Sequence, residues 1–113
     1  MPNAFETTTV VASAARTTTG DSGALPGYGI ASRLRAQLNV SASSGTTPTL
    51  DVIIEDTVDS GTTWNTVGTF AQKITTGREV IGVSVPFTDT LRVKWTIGGG
   101  TPSFTFSVNI YAE

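Results

Sequence analysis

Two stretches of the chain alternate apolar and polar side chains with a period of two residues. Only an extended strand sends every second side chain to the same side, so each stretch predicts a β-strand with one buried face. Residues 50–54 and 91–97 repeat the pattern, and no stretch has helical periodicity. The apolar members are Leu34, Ala36, Leu38, Val40 and Ala42 in the first stretch and Phe104, Phe106, Val108, Ile110 and Ala112 in the second.

Residues typical of turns separate these predicted strands at regular intervals. We predict that 33–42 pairs with 50–55 and that 91–97 pairs with 104–112, each pair forming a hairpin across a Gly- and Pro-containing turn. Weaker strand patterns at 8–14, 64–70 and 79–87 bring the total to seven strands, or eight with a short strand at 72–74, and no internal repeat is apparent. The predicted fold is a single-domain, all-β antiparallel sandwich with Greek-key or jelly-roll-like connections.

The chain of 113 residues has the length of one domain, in which two parts differ. Residues 1–32 form an N-terminal segment, in which the first predicted strand precedes a long loop rich in Gly, Pro, Asp and Ser. Loops of this length often contact partners, so we predict that this segment is a contact arm. Residues 33–113 form the predicted body of the sandwich.

The composition excludes several classes of function. The chain has no histidine and no cysteine, so it lacks the commonest general base, the commonest transition-metal ligand and any disulfide or thiolate site. Its net charge is −2, and its seven Lys and Arg residues form no cluster, which argues against binding nucleic acid. No apolar run approaches the roughly 20 residues of a membrane span, and no secretory signal is apparent at the start. We therefore expect synthesis in the cytoplasm and no membrane partner.

One turn has a specific signature. Thr57, Asp59, Gly61, Thr63 and Trp64 match the Asp-box pattern found in sialidases and related β-propellers. In this pattern the carboxylate accepts hydrogen bonds from the turn, the glycine takes a positive φ and the indole covers the turn. The predicted role is structural, because the chain has a single copy of the pattern and no sialidase arginine triad.

Acidic residues around this turn suggest two further hypotheses. Asp51, Glu55, Asp56 and Asp59 contain enough carboxylates for a glycosidase pair, but that chemistry needs two groups that face each other across a cleft. A calcium site needs six to eight converging oxygens, and the spacing does not resemble an EF-hand. We expect a solvated face with turn capping and assign no catalytic, cofactor-binding or metal-binding residue.

The aromatic residues suggest a sugar-stacking platform as another alternative. Trp95 shares a face with the apolar residues of its strand and is expected in the core, whereas Trp64 is assigned to the turn. Tyr28 and Tyr111 remain as expected exposed aromatics. Ile53 interrupts the pattern of its strand by facing outward, so we expect either coverage by a loop or by the N-terminal segment, or a contact between subunits.

Two sequence runs carry a resemblance to a known group of proteins. They are LDVIIEDTVDSGTTWNTVGTF at 50–70, with its Asp-x-Gly-x-Thr-Trp turn, and LRVKWTIGGGTPSFTFSVNIYAE at 91–113, with its Val-x-Trp-Thr-x-Gly-Gly core. From Arg33 onward the chain resembles small β-sandwich structural proteins encoded in the head and tail gene clusters of tailed bacteriophages and prophages. Such proteins are non-enzymatic, and many are capsid decoration or cement proteins.

The resemblance implies a virion component that binds the outside of the shell. Its partners would be the major capsid protein and further copies of itself, most often as a homotrimer, without a cofactor. Contacts would involve the N-terminal segment and one sheet edge. The alternative is a carbohydrate-binding or receptor-binding module. The candidate interface residues are Phe5, Val10, Tyr28, Ile53 and Tyr111.

Overall fold

The computed structural model describes residues 5–113, which contain strands, turns and loops. The first four residues of the predicted contact arm, 1–4, lie outside the described part of the chain. No helix among residues 5–113 is long and apolar enough to cross a membrane. The strands are β1 Glu6–Arg16, β2 Gly20–Asp21, β3 Leu34–Asp56, β4 Asn65–Thr69, β5 Gly77–Val83 and β6 Leu91–Ala112.

Two very long strands, β3 and β6, form the centre of the fold. They pair antiparallel along their whole lengths, from Leu34 opposite Ala112 to Asp56 opposite Leu91. The two predicted hairpins are therefore wrong in their pairing: 33–42 does not pair with 50–55, and 91–97 does not pair with 104–112. Each half of β3 instead pairs with a half of β6 that lies far away in sequence.

The ribbon of β3 and β6 bends where the sequence predicted turns. Both bends contain the same motif, Gly-x-Thr-Pro, at 45–48 and at 99–102. The two glycines have φ angles of 120° and 110°, and the two threonines, Thr47 and Thr101, have φ angles of 45° and 47°. The motifs lie against each other, because a Cβ on Gly45 would be 2.8 Å from the Thr101 carbonyl oxygen and one on Gly99 would be 2.7 Å from that of Thr47. A short internal repeat that the sequence analysis missed thus builds both corners.

The bend divides the ribbon into two facing halves. One side, which we call sheet one, has the strand order β1, residues 104–112 of β6, residues 34–44 of β3, and β5. The other side, sheet two, has the strand order β2, residues 91–98 of β6, residues 49–56 of β3, and β4. This strand order is that of a jelly roll, so the predicted all-β antiparallel sandwich is confirmed.

The core lies between the two sheets. Trp95 of sheet two meets Phe106 of sheet one with ring centroids 5.5 Å apart and an edge-to-face angle of 76°. The Arg16 guanidinium lies over both rings, 5.0 Å from the first centroid and 4.7 Å from the second. The predicted inward face is confirmed for most positions of the long strands. The buried side chains there are Leu34, Ala36, Leu38, Val40, Leu50, Val52, Ile54, Leu91, Val93, Trp95, Phe104, Phe106, Val108, Ile110 and Ala112.

Three positions depart from the regular alternation or pairing of the strands. Ala42 is exposed, because the register shifts between Val40 and Ala42 and reverses the alternation there. Val85 is 51% exposed, because β5 ends at Val83. Gly68 lies next to the register shift in β4, where a Cβ would be 2.8 Å from Val83 Cγ2 across the core.

Candidate functional site

The turn at 57–64 is closed by the side chains of the sequence pattern. Asp59 Oδ1 accepts hydrogen bonds from the Thr57 hydroxyl and the Thr63 N–H, each at 2.9 Å, and Oδ2 accepts one from the Thr63 hydroxyl at 2.6 Å. The Thr57 hydroxyl in turn accepts from Gly61 N–H at 2.8 Å. Gly61 has a φ of 91°, and a Cβ there would meet the Trp64 indole at 3.5 Å. These contacts hold the connection between β3 and β4.

The hydrogen bonds to Asp59 predict a pH dependence of stability. Donors from Thr63 and Thr57 hold the pKa of this carboxyl below its ordinary value of 3.8. A carboxyl with a lowered folded pKa stabilises the protein above its unfolded pKa and loses that contribution as the pH falls through its folded pKa. We therefore expect Asp59→Ala to lower the melting temperature by a few degrees at pH 7 and by progressively less as the pH falls below the ordinary carboxyl pKa of 3.8.

The control is Thr62→Ala in the same turn, since the Thr62 side chain forms no hydrogen bond to residues 5–113 and only its N–H contacts the Asp59 carbonyl. Thermal melts of both variants between pH 2.5 and 7, with pH values chosen to span the ordinary carboxyl pKa of 3.8, provide the measurement. Equal melting temperatures for Asp59→Ala and Thr62→Ala at pH 7 would refute the structural role of the carboxylate.

The prediction of a solvated acidic face is wrong for two residues, Glu55 and Asp56. Glu55 is 7% exposed, and its Oε1 accepts a hydrogen bond from Arg92 Nε at 2.7 Å. Asp56 is 6% exposed and accepts one from the Thr88 N–H at 3.0 Å. Among residues 5–113, no group of three acidic side chains is placed to hold a metal ion.

Charged side chains on the outer face of sheet two pair with one another. The Arg92 guanidinium lies between Glu55 and Asp21, whose Oδ2 is 3.8 Å from Nη1. It also lies over the Trp64 ring at 4.4 Å from the centroid. Ile53, the outward apolar residue, is half-buried between its register partners Thr69 and Lys94. The charge of Arg92 is therefore neutralised by carboxylates of the same chain.

The four aromatic residues do not form one platform. Tyr28 is 2% exposed, so its expected exposure is wrong, and Trp95 is in the core as predicted. The loop around Tyr28 is fixed by Asp89, whose carboxylate accepts hydrogen bonds from the N–H groups of Gly27 and Gly29. Burial, and then the charge of Glu6, raise the pKa of the Tyr28 phenol. Trp64 and Tyr111 lie on opposite outer faces.

The remaining candidate interface residues lie around β1. Phe5 is 76% exposed immediately before the strand, whereas Val10 is half-buried and packs against the core. Tyr111 is half-buried on the outer face of sheet one, opposite Thr7 and Arg35 in the register. Of the five candidate residues, only Phe5 is a large apolar side chain that is exposed.

The outer face of sheet one has a groove that sequence reasoning missed. It has a volume of about 470 Å³ and crosses the middle strands of the sheet. Asn109 Oδ1 lies buried at this groove without a hydrogen-bond donor among residues 5–113. A second depression of about 310 Å³ shares Arg35 and Glu113 with it and extends past Gly82. The groove is lined by Thr7, Arg35, Gln37, Val80, Asn109 and Tyr111, with Ala36 and Glu113.

The two edges of sheet one differ. The pairing of β1 with β6 shifts register twice, between Thr9 and Val11 and between Val11 and Ala14, and such bulges disfavour further pairing. The pairing of β5 with β3 is regular over all seven residues, so β5 presents a straight outer edge. Val80 is 45% exposed on this strand. An open, regular edge is a site at which another strand can add.

Comparison with solved structures shows the fold but not the family. The chain is similar to the PBSX exported protein XepA, with a TM-score of 0.67 and 13% identity over 99% of this chain and 38% of that one. It is similar to VP2 of the infectious bursal disease virus subviral particle, with a TM-score of 0.56 and 16% identity over 93% of this chain and 31% of that one. The chain thus spans well under half of each of these proteins.

A third similar structure is a complete small domain. It is the CBM36-1 domain of a multidomain xylanase from the hindgut metagenome of Trinervitermes trinervoides, with a TM-score of 0.51 and 12% identity over 93% of this chain and 95% of that one. No family model and no curated protein matches the sequence. The resemblance to the Asp-box class therefore rests on the turn residues themselves.

Proposed function

We propose that this protein is a non-enzymatic structural component of a virion, a capsid decoration or cement protein that binds the outer shell as a small homo-oligomer. The observation that supports this most is the fold that it shares, over 93% of its length, with a protein of a viral particle. The phage resemblance of 50–70 and 91–113 adds the association with head and tail gene clusters. The partners in this proposal are the major capsid protein and sister subunits, with a trimer as the expected assembly.

The edge of β5 is the proposed contact between subunits. It is regular over seven pairs, carries the exposed Val80 and is followed by the exposed Val85, whereas the opposite edge is interrupted by bulges. Strand addition at this edge would satisfy its free backbone groups and cover both valines. The N-terminal segment 1–32, with the exposed Phe5, is the proposed contact with the shell.

Light scattering of the purified protein tests the oligomer, with a mass about three times that of the 11.7 kDa chain as the expected result. Val85→Lys should lower this mass, since it places a charge beside the proposed contact. Val58→Lys is the matched control, because Val58 is a valine with 74% exposure in the turn of sheet two. A monomer at all concentrations, or equal masses for the two variants, would refute the contact at β5.

Shell binding requires a second experiment. The gene neighbourhood identifies the capsid protein to be used, and shells assembled from it are sedimented with the protein. We expect the wild type to cosediment and Phe5→Ser to do so more weakly. Failure of the wild type to associate, or the absence of a capsid gene from the neighbourhood, would contradict the proposal.

A carbohydrate-binding or receptor-binding module is the second candidate function. It is favoured by the similarity to CBM36-1, which extends over nearly the whole of that domain. The aromatic residues first considered for it do not supply a common surface, because Tyr28 and Trp95 are buried. This function would need a different site on the molecule.

A further inference from the structure

The groove on the outer face of sheet one has the features of a ligand site, and we infer that it binds a saccharide bearing a carboxylate. The inference gives a site and a ligand class to the second candidate function and does not depend on shell attachment. The volume of about 470 Å³ falls within the usual range for small-ligand sites. Four observations about its residues support the assignment.

The first observation is a glycine that the strand itself does not require. Gly82 lies inside β5, where the ladder with β3 has no bulge, and its φ is not positive. Nothing lies within 4 Å of the position that a Cβ would take. A glycine in a regular strand interior often marks a place where a ligand approaches closely. Gly82 is the register partner of Arg35 and lines the second depression, which shares Arg35 with the groove.

The second observation is the charge of the face. Arg35 is exposed in the groove, and no acidic side chain among residues 5–113 forms an ion pair with it. Arg78 lies on the same face and is also outside those pairs, while Glu113 is engaged by Arg33. The protein as a whole has a net charge of −2, so the net charge of this face is opposite in sign to that of the rest of the protein. A guanidinium with free donors favours a carboxylate, which can accept two of them.

The third observation is the amide of Asn109. Its Oδ1 is buried without a donor among the described residues, although the side chain lines the groove. Leaving an acceptor unpaired is unfavourable, and a ligand hydroxyl that reaches this amide can donate to it.

The fourth observation is the order in which side chains lie across the paired strands of the sheet. The register aligns Thr7, Tyr111 and Arg35 in one row and Asn109, Gln37 and Val80 in the next. A hydroxyl, two amides and a phenol ring thus surround a single cation. Amides and hydroxyls suit the hydroxyls of a sugar ring, and the cation suits its carboxylate. This combination favours an acidic sugar over a neutral one.

The test is an NMR titration of the ¹⁵N-labelled full chain with trigalacturonic acid and, as the matched neutral ligand, its methyl ester. We expect shifts of the amide signals of the groove residues with the acid, about tenfold weaker binding of the ester, and weaker binding of the acid at high salt. Arg35→Gln should weaken binding of the acid about tenfold, and Arg78→Gln, on the same face outside the groove, should not. Equal binding of acid and ester, or equal effects of the two substitutions, would overturn the inference.

A second variant tests the geometry of the groove. Gly82→Leu places a side chain in the depression beside Arg35 without a backbone penalty, so the melting temperature should not fall while binding is weakened. Undiminished binding by folded Gly82→Leu, shifts located at Trp64 instead of the groove, or no shifts at all would also overturn the inference. None of these results would affect sedimentation with shells, so the two proposals fail separately.

Discussion

Gly45→Ala and Gly99→Ala are expected to be the most destabilising glycine substitutions in the chain. Each places a Cβ within 2.8 Å of backbone atoms of the facing corner, and each imposes a φ of at least 110° that side chains rarely adopt. Backbone strain of about 1–3 kcal/mol and a steric cost of about 1–3 kcal/mol add to a loss of about 2–6 kcal/mol. That is a large fraction of the roughly 5–15 kcal/mol that stabilises a domain.

Two other glycines separate these costs. Gly23 has a φ of 77° but nothing within 4 Å of a Cβ, so Gly23→Ala reports the backbone cost alone. Gly77 has neither a positive φ nor a close neighbour, so Gly77→Ala should change stability little. Urea unfolding of the four variants gives the free energies. If Gly45→Ala were no worse than Gly23→Ala, the two corners would not be packed as closely as described.

Trp95→Ala is expected to lower the free energy of unfolding by about 3–5 kcal/mol, which is typical for removal of a buried tryptophan. The indole is 8% exposed, meets Phe106 edge to face and donates to the Thr18 carbonyl at 3.1 Å. Without the indole, the Arg16 guanidinium would lie over the Phe106 ring alone.

Trp64→Ala provides the comparison, since Trp64 is half-buried over the turn on the outside of sheet two. Its main partner is Arg92, and a cation–π contact of this kind contributes about 1 kcal/mol. Chemical unfolding followed by circular dichroism measures both variants without depending on tryptophan fluorescence. A loss for Trp64→Ala equal to that for Trp95→Ala would contradict the placement of the two indoles.

The alternation in the sequence predicted which side chains are buried but not which strands pair. A period of two fixes the face of each residue, and Leu34, Val52 and Phe106 are buried accordingly. It contains no information about the partner strand. Neighbouring segments were therefore paired as hairpins, whereas the structure pairs Leu34 with Ala112.

The corners were wrongly predicted as tight turns, because Gly and Pro occur both in turns that reverse the chain and in bends within a continuous strand. In 45–48 and 99–102 they suggested tight turns that reverse the chain, yet both strands continue through them. The signal that distinguishes the cases was present in the sequence as the repeated Gly-x-Thr-Pro. Four residues are too few to be recognised as a repeat without the contact between them.

The sequence predicted the contacts within the turn but not the groove or the burial of Glu55 and Tyr28. The turn residues lie within one loop, so their sequence spacing predicted which groups meet. The burial of Glu55 depends on Arg92, which is 37 residues away, and the groove depends on strands from both ends of the chain. Tyr28, in the long loop of the N-terminal segment, was expected to be exposed, but burial of its ring depends on packing that local composition does not encode.

The pairing of β3 with β6 also determines when the protein can fold. Residues 34–40 have their central-strand partner at 106–112, so these contacts close loops of more than 60 residues, and such long-range pairing is slow. During synthesis on the ribosome, β3 can pair with β4 and β5 but lacks its central-strand partner β6 until nearly the whole of the described chain has been made. The nascent chain must therefore carry an exposed, strand-forming segment for most of its translation, and chaperones that bind such segments would be expected to raise the yield of folded protein.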